Sequence, residues 1–192
     1  MEKIKIHYKE EDCQQRITQE IKKAFKNKSE SKEIVIICVG TDRSTGDSLG
    51  PQIGKILKRK LNKHIHVYGT LEQPVHGQNL PEIYQEVIEK HPDSFTIAID
   101  ACLGLSTSVG CIQLVKGPLR PGAGVGRDDL PQIGDYHITG IVNVGGFMEY
   151  FVLQNTRLSL VIDLADKISD SIVKAFKGYR PKTPKLELAK EA

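Results

Sequence analysis

The sequence predicts an α/β protein, with an open and mostly parallel sheet that carries helices on both faces. Three observations support this. Strand-like and helix-like segments alternate along the first hundred residues, the order that builds a parallel sheet. Two segments, "EIVIICVG" (33–40) and "SFTIAID" (94–100), are almost wholly apolar, as strands buried on both faces must be. Polar loops rich in Gly follow the strand ends, where open α/β sheets bind ligands.

Each element has its own signature. "KIKIHY" (3–8) alternates polar and apolar residues, like a half-exposed strand. The segment 11–28 places Cys13, Ile17, Ile21, Ala24 and Phe25 at helical spacing. After "EIVIICVG", Pro51 opens a helix carrying Ile53, Ile56, Leu57 and Leu61; its missing N–H would be unpaired in a first turn anyway. "HIHVYG" (64–69) is the next strand, and "LPEIYQEVIEKH" (80–91) a helix closed by Pro92. "SFTIAID" ends a strand on Asp100. "GCIQLVK" (110–116) and "YHITGIVN" (136–143) are further strands. Two helices follow, in "GGFMEYFVLQN" (145–155) and 157–179.

Length and composition bound the rest. The 192 residues suit one domain, spanning 1–179, with a loosely ordered tail over 180–192. Hydrophobic residues at 39% and charged residues at 27% describe a globular chain. A net charge of +3, without aromatics interleaved among Arg, gives no reason to expect nucleic acid. No run reaches membrane-spanning length, and "MEKIKIHYKE" is no signal peptide. The four Cys lack CxxC spacing, so neither zinc nor disulfide chemistry is indicated, and the expected compartment is the cytoplasm. Cys38 and Cys111 lie in strand-like runs and should be buried. The sequence leaves homo-oligomerisation open.

The candidate site follows from three loops. "GTDRSTGDSLGP" (40–51) holds Asp47, "DACLGLS" (100–106) begins with Asp100, and "VHGQN" (75–79) holds His76. All leave carboxyl ends of strands, so Asp47 and Asp100 can meet over one crevice. Two carboxylates in one crevice resist joint ionisation, so one can serve as base and the other as acid. The same pair could instead bind a divalent cation. Each Asp also has a plain structural role available, Asp47 as a helix cap and Asp100 as an acceptor for loop N–H groups. Asn143, Gly145 and Gly146 lie at another strand-to-helix junction. In "GPLRPGAGVGRDDL" (117–130), Gly122, Gly124 and Gly126 give a flexible loop able to hold an anion or an extended peptide. It is not a dinucleotide fingerprint, because the GxGxxG spacing is missing.

The letters G-D-S-L also suggest a GDSL esterase with Ser48 as nucleophile. Such enzymes carry a late Asp-x-x-His pair, and none of the six His residues here has an Asp three positions before it. A Ser hydroxyl without a base is a poor nucleophile. Ser48 is expected instead to help satisfy the helix start.

Over about 34–175 the chain resembles the YyaC-type sporulation proteins of spore-forming bacteria. Those are similar to the spore germination protease and share a fold with the hydrogenase maturation endopeptidases. "GDSLGP", "TIAIDACLGLS" and "RPGAGVG" carry the resemblance, in that order. It implies a three-layer α/β/α, phosphorylase/hydrolase-like fold. It implies that Asp47 and Asp100 are the carboxylates of an aspartate-dependent peptidase, with His76, Gly122, Gly124, Gly126 and Asn143 toward the substrate. It further implies a peptide or small spore protein as substrate, and the forespore or spore interior as location. In the maturation enzymes, acidic residues at these two places bind nickel together with a His; no residue here matches that His. After Asp100 the spore protease's "ALAARS" is replaced by "ACLGLS", so its Arg is absent.

Overall fold

The computed structural model describes residues 3–26, 33–122 and 129–180. The elements run β1 (Lys3–His7), α1 (Cys13–Lys26), β2 (Ile34–Cys38), α2 (Leu49–Lys60), β3 (Ile65–Tyr68), α3 (Leu80–Lys90), β4 (Phe95–Gly104), β5 (Cys111–Lys116), β6 (Tyr136–Val144), α4 (Glu149–Gln154) and α5 (Leu158–Ala175). The strands form one six-stranded sheet in the order β1-β5-β6-β4-β2-β3. β3, β2, β4 and β6 are mutually parallel, and β5 runs antiparallel to both its neighbours. The α/β/α architecture expected from the sequence is therefore present, with a mostly parallel sheet.

Period-two alternation divides β2 between two cores. Ile34, Ile36 and Cys38 join the larger one, against α1, α2 and α5. Val35 and Ile37 face the smaller one, with Leu80 and Val87 of α3. Burial on both faces explains why the sequence shows an unbroken apolar run there. Cys13, Cys38 and Cys111 are buried free thiols.

Two boundaries differ from the sequence expectation, and both shape the site. α2 begins at Leu49, so Pro51 is its third residue and still within the turn whose N–H groups lack helical partners. β4 continues past Asp100 to Gly104. Its pairing with β2 stops at Ile99, whereas its pairing with β6 runs on to Gly104. The sheet is thus stepped, and Asp100 stands at the step. A register shift between Cys102 and Leu103 adds a bulge just beyond it, a device that re-aims side chains beside functional sites.

Close backbone contact seats α2 on the strand ends. A Cβ on Gly50 would lie 2.0 Å from the Val39 carbonyl oxygen, and one on Gly54 would lie 1.9 Å from that of Gly69. Only glycine permits this approach. Of the tail expected to be loosely ordered, residues 181–192 lie outside the described residues.

Candidate functional site

Asp47 is positioned by the loop that leaves β2. Gly40, at φ 141°, turns the chain away from the sheet. Its N–H donates to the Val75 carbonyl at 2.8 Å, and the Thr41 N–H donates to the Asp47 carbonyl at 3.2 Å. The Gly46 N–H donates to the Leu153 carbonyl at 2.9 Å, tying the loop to α4. A side chain at Gly46 would strike Leu153, with a Cβ only 2.9 Å from its Cδ2. Both glycines of "GDSLG" are therefore packing requirements, and they hold Asp47 over the end of the sheet.

Asp47 and Asp100 line one cavity of about 790 Å³. Its walls are mainly apolar and include Leu103, Leu105, Leu119 and Tyr150. This is a common pattern for ligand sites, in which a few polar groups converge in an apolar cleft. Desolvation raises the Asp47 carboxyl above its ordinary value, opposed by the nearby Ser44 hydroxyl, whose contact falls short of normal hydrogen-bond geometry. Asp100 is pushed well above the ordinary range, first by burial and then by the charge of Asp47. One Asp100 oxygen accepts the Ala101 N–H at 2.8 Å, which opposes the shift without cancelling it. Asp100 is therefore pushed further above its ordinary value than Asp47, which makes Asp47 the first of the two to ionise.

The other expected residues divide. His76 lines the cavity, and its Nδ1 accepts the Gln78 N–H at 3.3 Å, which in the neutral ring leaves the proton on Nε2. Gly122 also lines the cavity, with φ 76°. Gly124 and Gly126 lie outside the described residues. Asn143 is placed differently from the expectation. It is not among the lining residues, because its amide N–H₂ donates to the Val152 carbonyl at 3.2 Å and to Thr156 Oγ1 at 3.3 Å, fastening α4 to β6.

Ser48 is buried and outside the cavity lining. Its hydroxyl donates to the Thr45 carbonyl at 2.7 Å and accepts from Gln52 Nε2 at 2.8 Å. The expectation that Ser48 supports the helix start needs correcting in detail. Its backbone is already helical, and its side chain makes no capping bond to the first-turn N–H groups. The hydroxyl bonds back to the Thr45 carbonyl and forward to the Gln52 side chain instead.

Sequence reasoning missed Cys102, Thr139, Arg120 and Tyr150, which all line the cavity. Cys102 and Thr139 could have been found by running β4 beyond Asp100, since Thr139 is the register partner of Asp100. Burial pushes the Cys102 thiol up to about 11, so it is no thiolate nucleophile near neutral pH. No sequence signal pointed to Arg120 or Tyr150.

A divalent ion at the aspartate pair needs further donors. Among the described residues, no third His, Cys, Asp or Glu completes a metal set with Asp47 and Asp100.

The fold is of the kind seen in a hydrogenase maturation protease. The crystal structure of a [NiFe] hydrogenase maturation protease, HycI from Thermococcus kodakarensis KOD1, matches with a TM-score of 0.58 over 82% of this chain and 98% of that one. At 18% sequence identity, that likeness establishes the fold alone. The chain belongs to the family described as "Protein of unknown function (DUF1256)", which matches residues 5–171. It is 54% identical over 145 residues to "Uncharacterized protein YyaC" of Bacillus subtilis (strain 168), spanning 76% of this chain and 70% of that protein. Among the described residues, no helix is long and apolar enough to cross a membrane.

Proposed function

We propose that this chain is a peptidase that activates water between Asp47 and Asp100. The observation that carries this reading is the pair of carboxyls lining one largely apolar cavity, with Asp100 pushed further above its ordinary value than Asp47. The protease-type fold of HycI supports it.

The chemistry balances without a cofactor. Asp47 takes a proton from water as the water oxygen bonds to the peptide carbonyl carbon. Asp100 gives its proton to the carbonyl oxygen, so the tetrahedral intermediate is a neutral diol. On collapse, Asp47 passes its proton to the leaving nitrogen, the C–N bond breaks, and Asp100 recovers a proton from the diol. Acid and amine leave, and both carboxyls return to their starting states. His76 Nε2–H and the backbone at Gly122, both on the cavity wall, would hold the substrate backbone.

We take the substrate to be a peptide segment of a small spore protein and the setting to be the forespore, on the motif resemblance around Asp47, Asp100 and Gly122. The test is a cleavage assay on small acid-soluble spore protein from mildly acidic to neutral pH. Cleavage that Asp47→Asn abolishes supports the reading. Cleavage that survives Asp47→Asn and Asp100→Asn would sink it.

One observation favours a second reading, in which the crevice binds a peptide without cutting it. Exposed apolar side chains crowd its rim: Leu105 and Tyr150 line the cavity, and Phe147 and Met148 stand beside it in the chain. Met148 holds a left-handed backbone at φ 48°. Such a lip fits an apolar peptide. Peptide binding that persists in both Asn variants, with no product at any pH, would select this reading.

A further inference from the structure

A second cluster lies at the opposite end of the sheet, where Glu33 enters β2, His66 sits in β3 and His91 caps α3. The Glu33 carboxylate is 2.7 Å from His91 Nδ1 and 3.7 Å from His66 Nε2. The two imidazole rings lie with centroids 4.0 Å apart, tilted by 34°. One ligand atom from each residue falls within 4.8 Å of the others. The five residues of β2 separate Glu33 from the segment that leads to Asp47, roughly 17 Å at strand rise.

We infer that Glu33, His66 and His91 form a binding site for a single divalent transition metal, separate from the aspartate cavity. Two imidazoles and one carboxylate are the donor set that zinc takes in open sites. Imidazole donors favour zinc, copper or nickel over magnesium and calcium. Tetrahedral ligands at ordinary Zn–N and Zn–O distances stand about 3.3 Å apart, between the two spacings observed here. Only a small turn of the half-exposed Glu33 side chain is needed to open the His91 contact.

The surroundings fit as well. The His91 side chain is only 9% exposed, so its ring is held in place. Its Nε2 lies 3.1 Å from the Tyr68 hydroxyl. With Nδ1 on the metal, Nε2 carries the proton and donates to Tyr68, the kind of partner that fixes the tautomer of a ligating His. His66 and Tyr68 also border a groove of about 470 Å³, which leaves a fourth coordination position open to water or a small ligand. The metal would pin three elements together at the sheet edge, where β3 pairs only with β2.

Co²⁺ and Zn²⁺ test this on the full chain carrying Asp47→Asn and Asp100→Asn, so that failure here is distinguishable from failure of the peptidase reading. The expected result is one Co²⁺ per chain, with visible d–d bands of a four- or five-coordinate ion, displaced by Zn²⁺. His66→Gln, His91→Gln and Glu33→Gln should each weaken binding more than 100-fold, and Tyr68→Phe about 10–100-fold. Thermal melts without metal confirm folding of each variant. No stoichiometric binding, or unchanged affinity in folded Glu33→Gln and His66→Gln chains, overturns the inference and leaves a His–Glu ion pair at a helix end.

Discussion

Asp47 and Asp100 line one cavity although 53 positions separate them in the chain, and Asp100 is held above the ordinary carboxylate range first by burial and then by the charge of Asp47. Two features of the sheet create that relationship. β2 ends early enough for its loop to fold back over the strand ends, and β4 runs on past Asp100 beside β6. Burial acts on both carboxyls in the same direction, and the mutual repulsion falls on the deeper one. Under the proposed peptidase reading, that difference would make an acid and a base from the same residue type.

Cleavage by such a pair should follow a bell-shaped pH profile. Activity needs Asp47 ionised, so it falls as pH drops through the pair's first ionisation, which lies above the ordinary carboxylate value of 3.8. It also needs Asp100 protonated, so it falls again as pH rises through the second, well above that value. The two limbs belong to the coupled pair. Asp47→Asn and Asp100→Asn should each lower kcat by about 10²–10⁴-fold. Steady-state rates against pH check this, and a flat profile across the acidic and neutral range contradicts it.

The same burial predicts that Asp100→Asn stabilises the protein at neutral pH. A raised folded-state pKa means that the contribution of Asp100 to stability is fully present below the unfolded value and is lost as pH rises through the folded value. Asn stays neutral and keeps an oxygen for the Ala101 N–H. The variant should therefore melt near wild type at about pH 4 and above it at pH 8, by about 2–4 °C for each kcal/mol relieved. Paired melts at the two pH values decide it, and a variant less stable at pH 8 than at pH 4, relative to wild type, would refute it.

Gly50→Ala should be strongly destabilising. The new Cβ would sit 2.0 Å from the Val39 carbonyl oxygen, a backbone atom that cannot swing aside. α2 must lift from the end of β2, at a cost of about 1–3 kcal/mol or more. Asp47 lies two residues before the start of that helix, so activity should fall along with the melting temperature. Denaturant titration measures the first effect and the cleavage assay the second. A variant with unchanged stability would show that the helix tolerates displacement.

The core was legible in the sequence wherever burial was two-sided. The runs containing Ile34–Cys38 and Phe95–Ile99 announce themselves, and the helical spacing of Ile17, Ile21 and Ala24 does likewise. Asp47, Asp100, His76 and Gly122 could be placed around one crevice because each follows a strand end. What failed were features set by pairing distant in sequence. Whether β4 stops at Asp100 depends on β6, some forty residues later, and Asn143 is drawn to α4 by carbonyls its own segment does not reveal. The Glu33–His66–His91 cluster was invisible for the same reason, since parallel pairing and a helix end bring it together. Ser48 was legible only by exclusion.

That exclusion yields a last prediction. If the GDSL letters meant a serine nucleophile, Ser48→Ala would abolish activity. The structure gives Ser48 a different task. Its buried hydroxyl donates to the Thr45 carbonyl and accepts from the Gln52 amide, holding the turn that presents Asp47. Losing one such hydroxyl costs about 1 kcal/mol of stability for a typical hydrogen bond. Ser48→Ala should thus lower the melting temperature by about 2–4 °C and leave kcat/KM within about twofold. A serine-directed phosphonate should not label the wild-type protein at Ser48. Labelling there, or inactivity of a folded Ser48→Ala variant, would restore the serine mechanism and remove Asp47 from its role as base.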